Sequence, residues 1–116
     1  MPNSAQDLVA QARQEVQAIT PAELIGLQNE KAPFTLIDVR EREEWDTGHI
    51  DGAVHIPRGL LEFKIAEAVP DRHFPVILHC ASGGRSALSA QMLVKMGYSN
   101  VKNLEGGYAA YRGATA

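Results

Sequence analysis

Four short apolar runs, FTLIDV (34–39), AVHIP (53–57), VILH (76–79) and VKNL (101–104), are separated by segments too long for hairpins. That alternation constrains the fold more than any other feature of the chain. Short runs rich in β-branched residues read as strands, and near-continuous apolar character indicates burial on both faces. Strands joined by long, helix-patterned connections pair in parallel, and a parallel sheet needs helices on both sides. The chain is therefore expected to fold as an α/β domain of three layers.

The connecting segments carry helix signatures. SAQDLVAQARQEVQAI sets Leu8, Ala12, Val16 and Ile19 at helical spacing, with Ser4 as cap and Asp7 three residues on. It predicts an N-terminal amphipathic helix (1–18) ahead of a domain spanning 19–116. Thr20, Pro21 and Glu23 form a second start signal, for a helix over 21–29. EREEW (41–45) reads as one or two helical turns. LLEFKIAEAV (60–69) places Leu60, Leu61, Ile65 and Ala68 on one side. SALSAQMLVKMG (86–97) is patterned by Leu88, Met92, Leu93 and Met96, with Gly97 suited to end it. EGG reads as a turn and YAAYR as a final short helix.

At 116 residues the chain supports one core. Its formal charge of −3 gives no basic stripe for a phosphate backbone, so nucleic acid is not an expected partner. No apolar stretch approaches the ~20 residues of a membrane helix, and the N-terminus lacks the pattern of a secretory signal. One cysteine cannot form an internal disulfide, which fits a reducing compartment. A cytoplasmic protein without membrane contact is the expectation.

That cysteine lies in HCASGGRS (79–86), directly after the strand VILH. In open parallel sheets ligands bind beyond the carboxyl ends of the strands, which places Cys80 at a candidate site. Gly83 and Gly84 permit backbone angles that turn several N–H groups toward one point. A helix starting near Ser86 adds its unsatisfied N–H groups and the positive end of its dipole. Arg85 adds a full charge. All three favour a thiolate. With no second thiol, an oxidised or sulfur-loaded Cys80 must be relieved by an outside molecule, which suits a ping-pong enzyme or a relay.

Three blocks, LIDVREREEWDTGHIDGAVHIP (36–57), VILHCASGGRSALSAQMLVKMGY (76–98) and VKNLEGGYAAY (101–111), resemble a single-domain rhodanese, the sulfurtransferase family. The resemblance runs from about Ile19 to Arg112. It implies a parallel five-stranded sheet flanked by helices, and no metal or organic cofactor. It also implies a mechanism: Cys80 takes a sulfane sulfur from a small anionic donor such as thiosulfate, becomes a persulfide, and passes the sulfur to cyanide or a thiol. Ala81, Ser82, Gly83, Gly84, Arg85 and Ser86 would bind the transferred group, and Asp38 and Arg40 would frame the site. A persulfide carrier or interaction module serving a protein acceptor is the alternative. Phosphatase or arsenate reductase chemistry is disfavoured, because four residues separate Cys80 from Arg85 where the related phosphatases have five.

Other residues carry plainer expectations. Arg42, Glu43 and Glu44 read as a solvated face, and Arg58 as a surface arginine. His49 reads as a structural hydrogen-bonding residue. Trp45 and Tyr111 fit either a pocket mouth or the core. His49, His55, His73 and His79 lack the paired spacing of a zinc site. His79 adjoins Cys80, but neighbouring strand residues point to opposite faces, which argues against a base at that position.

Overall fold

A computed structural model describes residues 3–115; Met1, Pro2 and Ala116, at the ends of the two expected spans, lie outside the described residues. The capping signals fold as written. Helix α1 (Ala5–Glu15) begins at Ser4, whose hydroxyl accepts from the Asp7 N–H while the Asp7 carboxylate accepts from the Ser4 N–H. Thr20 and Glu23 repeat that exchange at the start of α2 (Pro21–Asn29). Each box satisfies two donors that a helix end would otherwise leave bare.

Strands β1 (Gln17–Ile19), β2 (Thr35–Asp38), β3 (Val54–His55), β4 (Val76–His79) and β5 (Val101–Leu104) form one parallel sheet in the order β1-β5-β4-β2-β3. The remaining helices are α3 (Arg42–Asp46), α4 (Leu61–Ala68), α5 (Gly84–Lys95) and α6 (Gly107–Thr115), with a 3-10 turn at Arg58–Leu60. The central strand β4 pairs on both sides and is buried throughout, as its unbroken apolar run requires. Adjacent residues serve opposite faces: Leu78 joins Ile37, Ile65 and Leu93 in one core, and Ile77 joins Leu24, Leu36 and Leu104 in the other. Helices α1, α4 and α5 cover the first core; α2 and α6 meet on the other face.

The chain departs from the sequence pattern in several places: Leu60, expected on the stripe of α4, precedes that helix and is exposed. Helix α1 stops at Glu15, and residues 17–19 turn extended to pair with β5, Ile19 beside Leu104. Val16 and Ile19 fit helical spacing, but Ile19 gains burial and β5 gains a partner only if the segment is a strand. Helix α5 starts at Gly84, so Arg85 and Ser86 lie in its first turn. Its buried face is Ser86, Ala87, Ser89, Ala90 and Leu93, while Met92 is exposed. Small residues let the helix axis sit close to the sheet, which outweighs burying the bulkier Met92.

Candidate active site

Cys80 leaves β4 and is 1% exposed. Three residues later the Gly83 N–H points back at its Sγ at 3.1 Å, and the Ser86 N–H does so at 3.4 Å. Gly83 occupies φ +105°, a left-handed angle that glycine adopts without strain, and serves as N-cap of α5. The sulfur thus faces the N-terminus of a twelve-residue helix.

The loop's carbonyls turn the other way, onto α6. The Tyr108 N–H donates to the Cys80 carbonyl at 2.8 Å, and the Ala109 N–H to the Ala81 carbonyl at 3.1 Å. This close approach depends on Gly107: a Cβ there would stand 2.6 Å from the Cys80 oxygen. With its carbonyls held outward by one helix, the loop presents N–H groups inward to the sulfur.

Asn103 of β5 completes the cradle from below. Its Nδ2 donates to the Gly83 carbonyl at 3.2 Å, and its Oδ1 accepts the Ser86 hydroxyl at 2.5 Å. The same hydroxyl lies 3.5 Å from Sγ. One proton cannot serve both acceptors fully, and the shorter bond to Asn103 holds it while Cys80 is a neutral thiol; a thiolate competes better. Burial pushes the Cys80 thiol up. Hydrogen bonds from the Ser86 hydroxyl and from the N–H groups of Ser86, Gly83 and Ser82 outweigh that and bring it below the ordinary thiol value.

Arg85 does not stand free as a counter-charge. Its Nη1 and Nη2 donate to the two carboxylate oxygens of Glu44, at 2.7 and 2.9 Å. Glu44 therefore belongs to the loop's surroundings rather than to a solvated face. Arg85 holds its carboxyl down, burial opposes this and the Glu41 N–H assists, leaving the group at about 2. The same bond raises Arg85 above its ordinary value. Gly84 opens α5 and, among the described residues, is not one of the hydrogen-bond donors to the sulfur.

Asp38 and Arg40 lie one strand away, Asp38 paired in register with His79. They bond each other: Arg40 Nε reaches both Asp38 oxygens at 3.0 and 3.1 Å, and Nη2 reaches Oδ2 at 2.8 Å and the Gly48 carbonyl at 2.8 Å. Burial raises the Asp38 carboxyl, yet Arg40 and its neighbours keep it below the usual value. Neither residue reaches Sγ. His79 is fully buried; its Nδ1–H donates to the Cys80 carbonyl at 3.2 Å, and its Nε2 stands 3.7 Å from Asp38 without a hydrogen bond. Burial lowers its basicity.

The other candidates disperse. His49 donates to the Trp45 carbonyl and stacks on the Trp45 ring, with His55 on that ring as well. Tyr111 packs on the α2 side and donates to Gln28. Among the described residues no three His, Cys, Asp or Glu side chains gather as metal ligands would. Asn103 and Gly107 were not singled out from sequence, and Glu44 was read only as part of a solvated face. Asn103 left one trace: a polar residue between Val101 and Leu104 in a largely buried strand.

The family description "Rhodanese-like domain" matches residues 20–114. The thiosulfate sulfurtransferase GlpE of Pseudomonas entomophila is 32% identical over 98 residues, covering 84% of this chain and 86% of that protein. The probable adenylyltransferase/sulfurtransferase MoeZ of Mycobacterium tuberculosis is 38% identical over 93 residues; the match covers 80% of this chain but 24% of MoeZ. A solved structure from Rhodopseudomonas palustris, described as a protein of unknown function and possible tyrosine phosphatase, superimposes with a TM-score of 0.87 at 26% identity, covering 100% of this chain and 94% of that one. The chain belongs to the rhodanese-like domain family.

Proposed function

We propose that the protein is a sulfurtransferase in which Cys80 carries the transferred sulfur as a persulfide. The observation that carries this reading is the convergence of the Gly83 and Ser86 N–H groups on the sulfur of the chain's single cysteine. Relatives named thiosulfate sulfurtransferases support thiosulfate as one donor.

In the first step the Cys80 thiolate attacks the sulfane sulfur of thiosulfate. A Cys80–sulfur bond forms, the sulfur–sulfur bond of the donor breaks, and sulfite leaves with the electron pair. The persulfide anion then occupies the helix-terminus cradle, where N–H donors stabilise it as they stabilised the thiolate. In the second step cyanide, a small thiol or a protein thiol attacks the outer sulfur and Cys80 departs again as thiolate. Ser82, Gly83 and Ser86 supply donors; Ala81 anchors the loop to α6; Gly84 and Arg85 shape its exit. Asp38 and Arg40 brace the neighbouring strand end.

Phosphoryl transfer is disfavoured. The loop has four residues between Cys80 and Arg85, and Arg85 is already closed on Glu44. We assign the domain to 19–116 with α1 appended to it, and the lone thiol suits the cytoplasm. No helix among the described residues is long and apolar enough to cross a membrane.

The test is to incubate the protein with thiosulfate, read the intact mass, and then measure thiocyanate released by cyanide. One added sulfur, absent in Cys80→Ser, with repeated turnover is the expected result. Loading without turnover indicates a carrier instead, and no loading at all rejects the persulfide.

A further inference from the structure

Among the described residues, His79 Nε2 stands alone as a buried side-chain polar atom without a hydrogen-bond partner. An unsatisfied buried nitrogen lowers stability, so an aliphatic residue such as the neighbouring Leu78 would serve the centre of the sheet better. The packing of β4 therefore gives no reason for a histidine at this position. The reason lies at the other ring nitrogen.

His79 Nδ1 is 3.2 Å from the Cys80 carbonyl. That oxygen can only accept, so the hydrogen of this bond belongs to Nδ1. The groups facing the ring are Asp38, with Oδ2 at 3.7 Å from Nε2, Arg40 beside Asp38, and Tyr108 of α6, whose ring stacks at 6.2 Å. Burial holds the ring neutral against the pull of Asp38, and Arg40 assists burial. The neutral ring carries its one proton on Nδ1 and leaves Nε2 bare. The Cys80 carbonyl then accepts from two sides, the His79 ring and the Tyr108 N–H at 2.8 Å. A peptide is planar, so fixing this carbonyl also fixes the direction in which the chain enters the loop.

We infer that His79 is a positioning residue of the sulfur cradle: its Nδ1–H tautomer holds the Cys80 carbonyl against α6, and the bare buried Nε2 is tolerated for the sake of that bond. The inference rests on the persulfide reading of Cys80 and gives His79 no contact with substrate. It differs from a packing role in what it predicts for stability, because the sheet should not miss this side chain while the loop should.

Three substitutions separate the two roles. His79→Asn sets an amide N–H where Nδ1 stands, His79→Gln sets one where Nε2 stands, and His79→Leu has no donor. Sulfur loading from thiosulfate, followed by intact mass, is expected to slow about threefold to tenfold in His79→Leu and His79→Gln, the scale of one net hydrogen bond. His79→Asn is expected to load within about twofold of the native rate, since the donor is kept. His79→Leu is also expected to unfold at the same or a higher urea concentration than the native protein. Equal loading by all variants overturns the inference. So does slow loading by His79→Leu that comes with a lower urea midpoint and no rescue by His79→Asn. Nitrogen NMR of the native protein adds a test that needs no stable variant: a neutral ring protonated at Nδ1 is expected, and one protonated at Nε2 overturns the inference. Native protein that takes up no sulfur at all overturns the persulfide reading, while the tautomer still judges His79 by itself.

Discussion

Two strand ends stand side by side in this sheet and use polar groups in opposite ways. After β2, Asp38 and Arg40 satisfy each other through three side-chain bonds and one from the Arg40 backbone N–H, and Arg40 reaches the Gly48 carbonyl as well. After β4, the Gly83 and Ser86 N–H groups point at a sulfur that is a weak acceptor as a thiol and a strong one as an anion. The first region holds more charge and is chemically closed. The second is left under-satisfied until a negative charge arrives. Donors aimed at one atom, more than charge density, distinguish a reactive site from a brace.

The sharpest way to break this contrast is Cys80→Ser. It should abolish sulfur loading by mass while leaving a cooperative thermal transition, since serine accepts the same N–H groups. Asp38→Ala should do the reverse. It strands the buried Arg40 guanidinium and should lower stability in urea by about 3–5 kcal/mol. A mild loss there, with strong loss of activity, would make Asp38 part of the chemistry rather than the brace.

Gly107→Ala tests the support behind the loop. A methyl 2.6 Å from the Cys80 oxygen, at φ +59°, should cost roughly 2–4 kcal/mol of stability and slow sulfur loading as α6 moves off the loop. Ser86→Ala should act more gently. Its hydroxyl is already engaged by Asn103 but also lowers the Cys80 thiol, so the thiol should rise when this donor is lost while the backbone N–H donors of Gly83 and Ser86 remain. In pH-rate profiles of sulfur loading, the acid limb, where thiolate is lost, should move to higher pH in this variant.

Glu44→Gln should have the smallest effect. The native carboxyl titrates at about 2 instead of its ordinary 4.5. Its folded-state value is depressed, so its stabilisation is present above 4.5 and is lost as pH falls through 2. Solvent screening of this partly exposed pair limits the contribution to about 1 kcal/mol. Urea curves of the native protein and the variant should therefore converge as pH drops across that window.

Much of the sheet was legible because burial on both faces leaves a distinct apolar run in β2, β4 and β5. β1 was not, since Val16 and Ile19 satisfy helical spacing and strand pairing equally, and only the free edge of β5 decides between them. The convergence of N–H groups on Cys80 was readable from local neighbours: cysteine, two glycines and a helix start. The Arg85–Glu44 pair spans 41 positions and depends on where α3 packs, so no local pattern announced it. Gly107 is similar; two glycines looked like a turn until α6 was seen to rest on the carbonyls of the Cys80 loop.

The most direct measurement is the titration of Cys80 in the native protein, followed by thiolate ultraviolet absorbance with Cys80→Ser as blank. If the converging donors hold the sulfur as an anion, the midpoint falls below the ~8.5 of a free cysteine. A midpoint at or above that value would mean that burial wins, and that this loop does not make Cys80 a nucleophile.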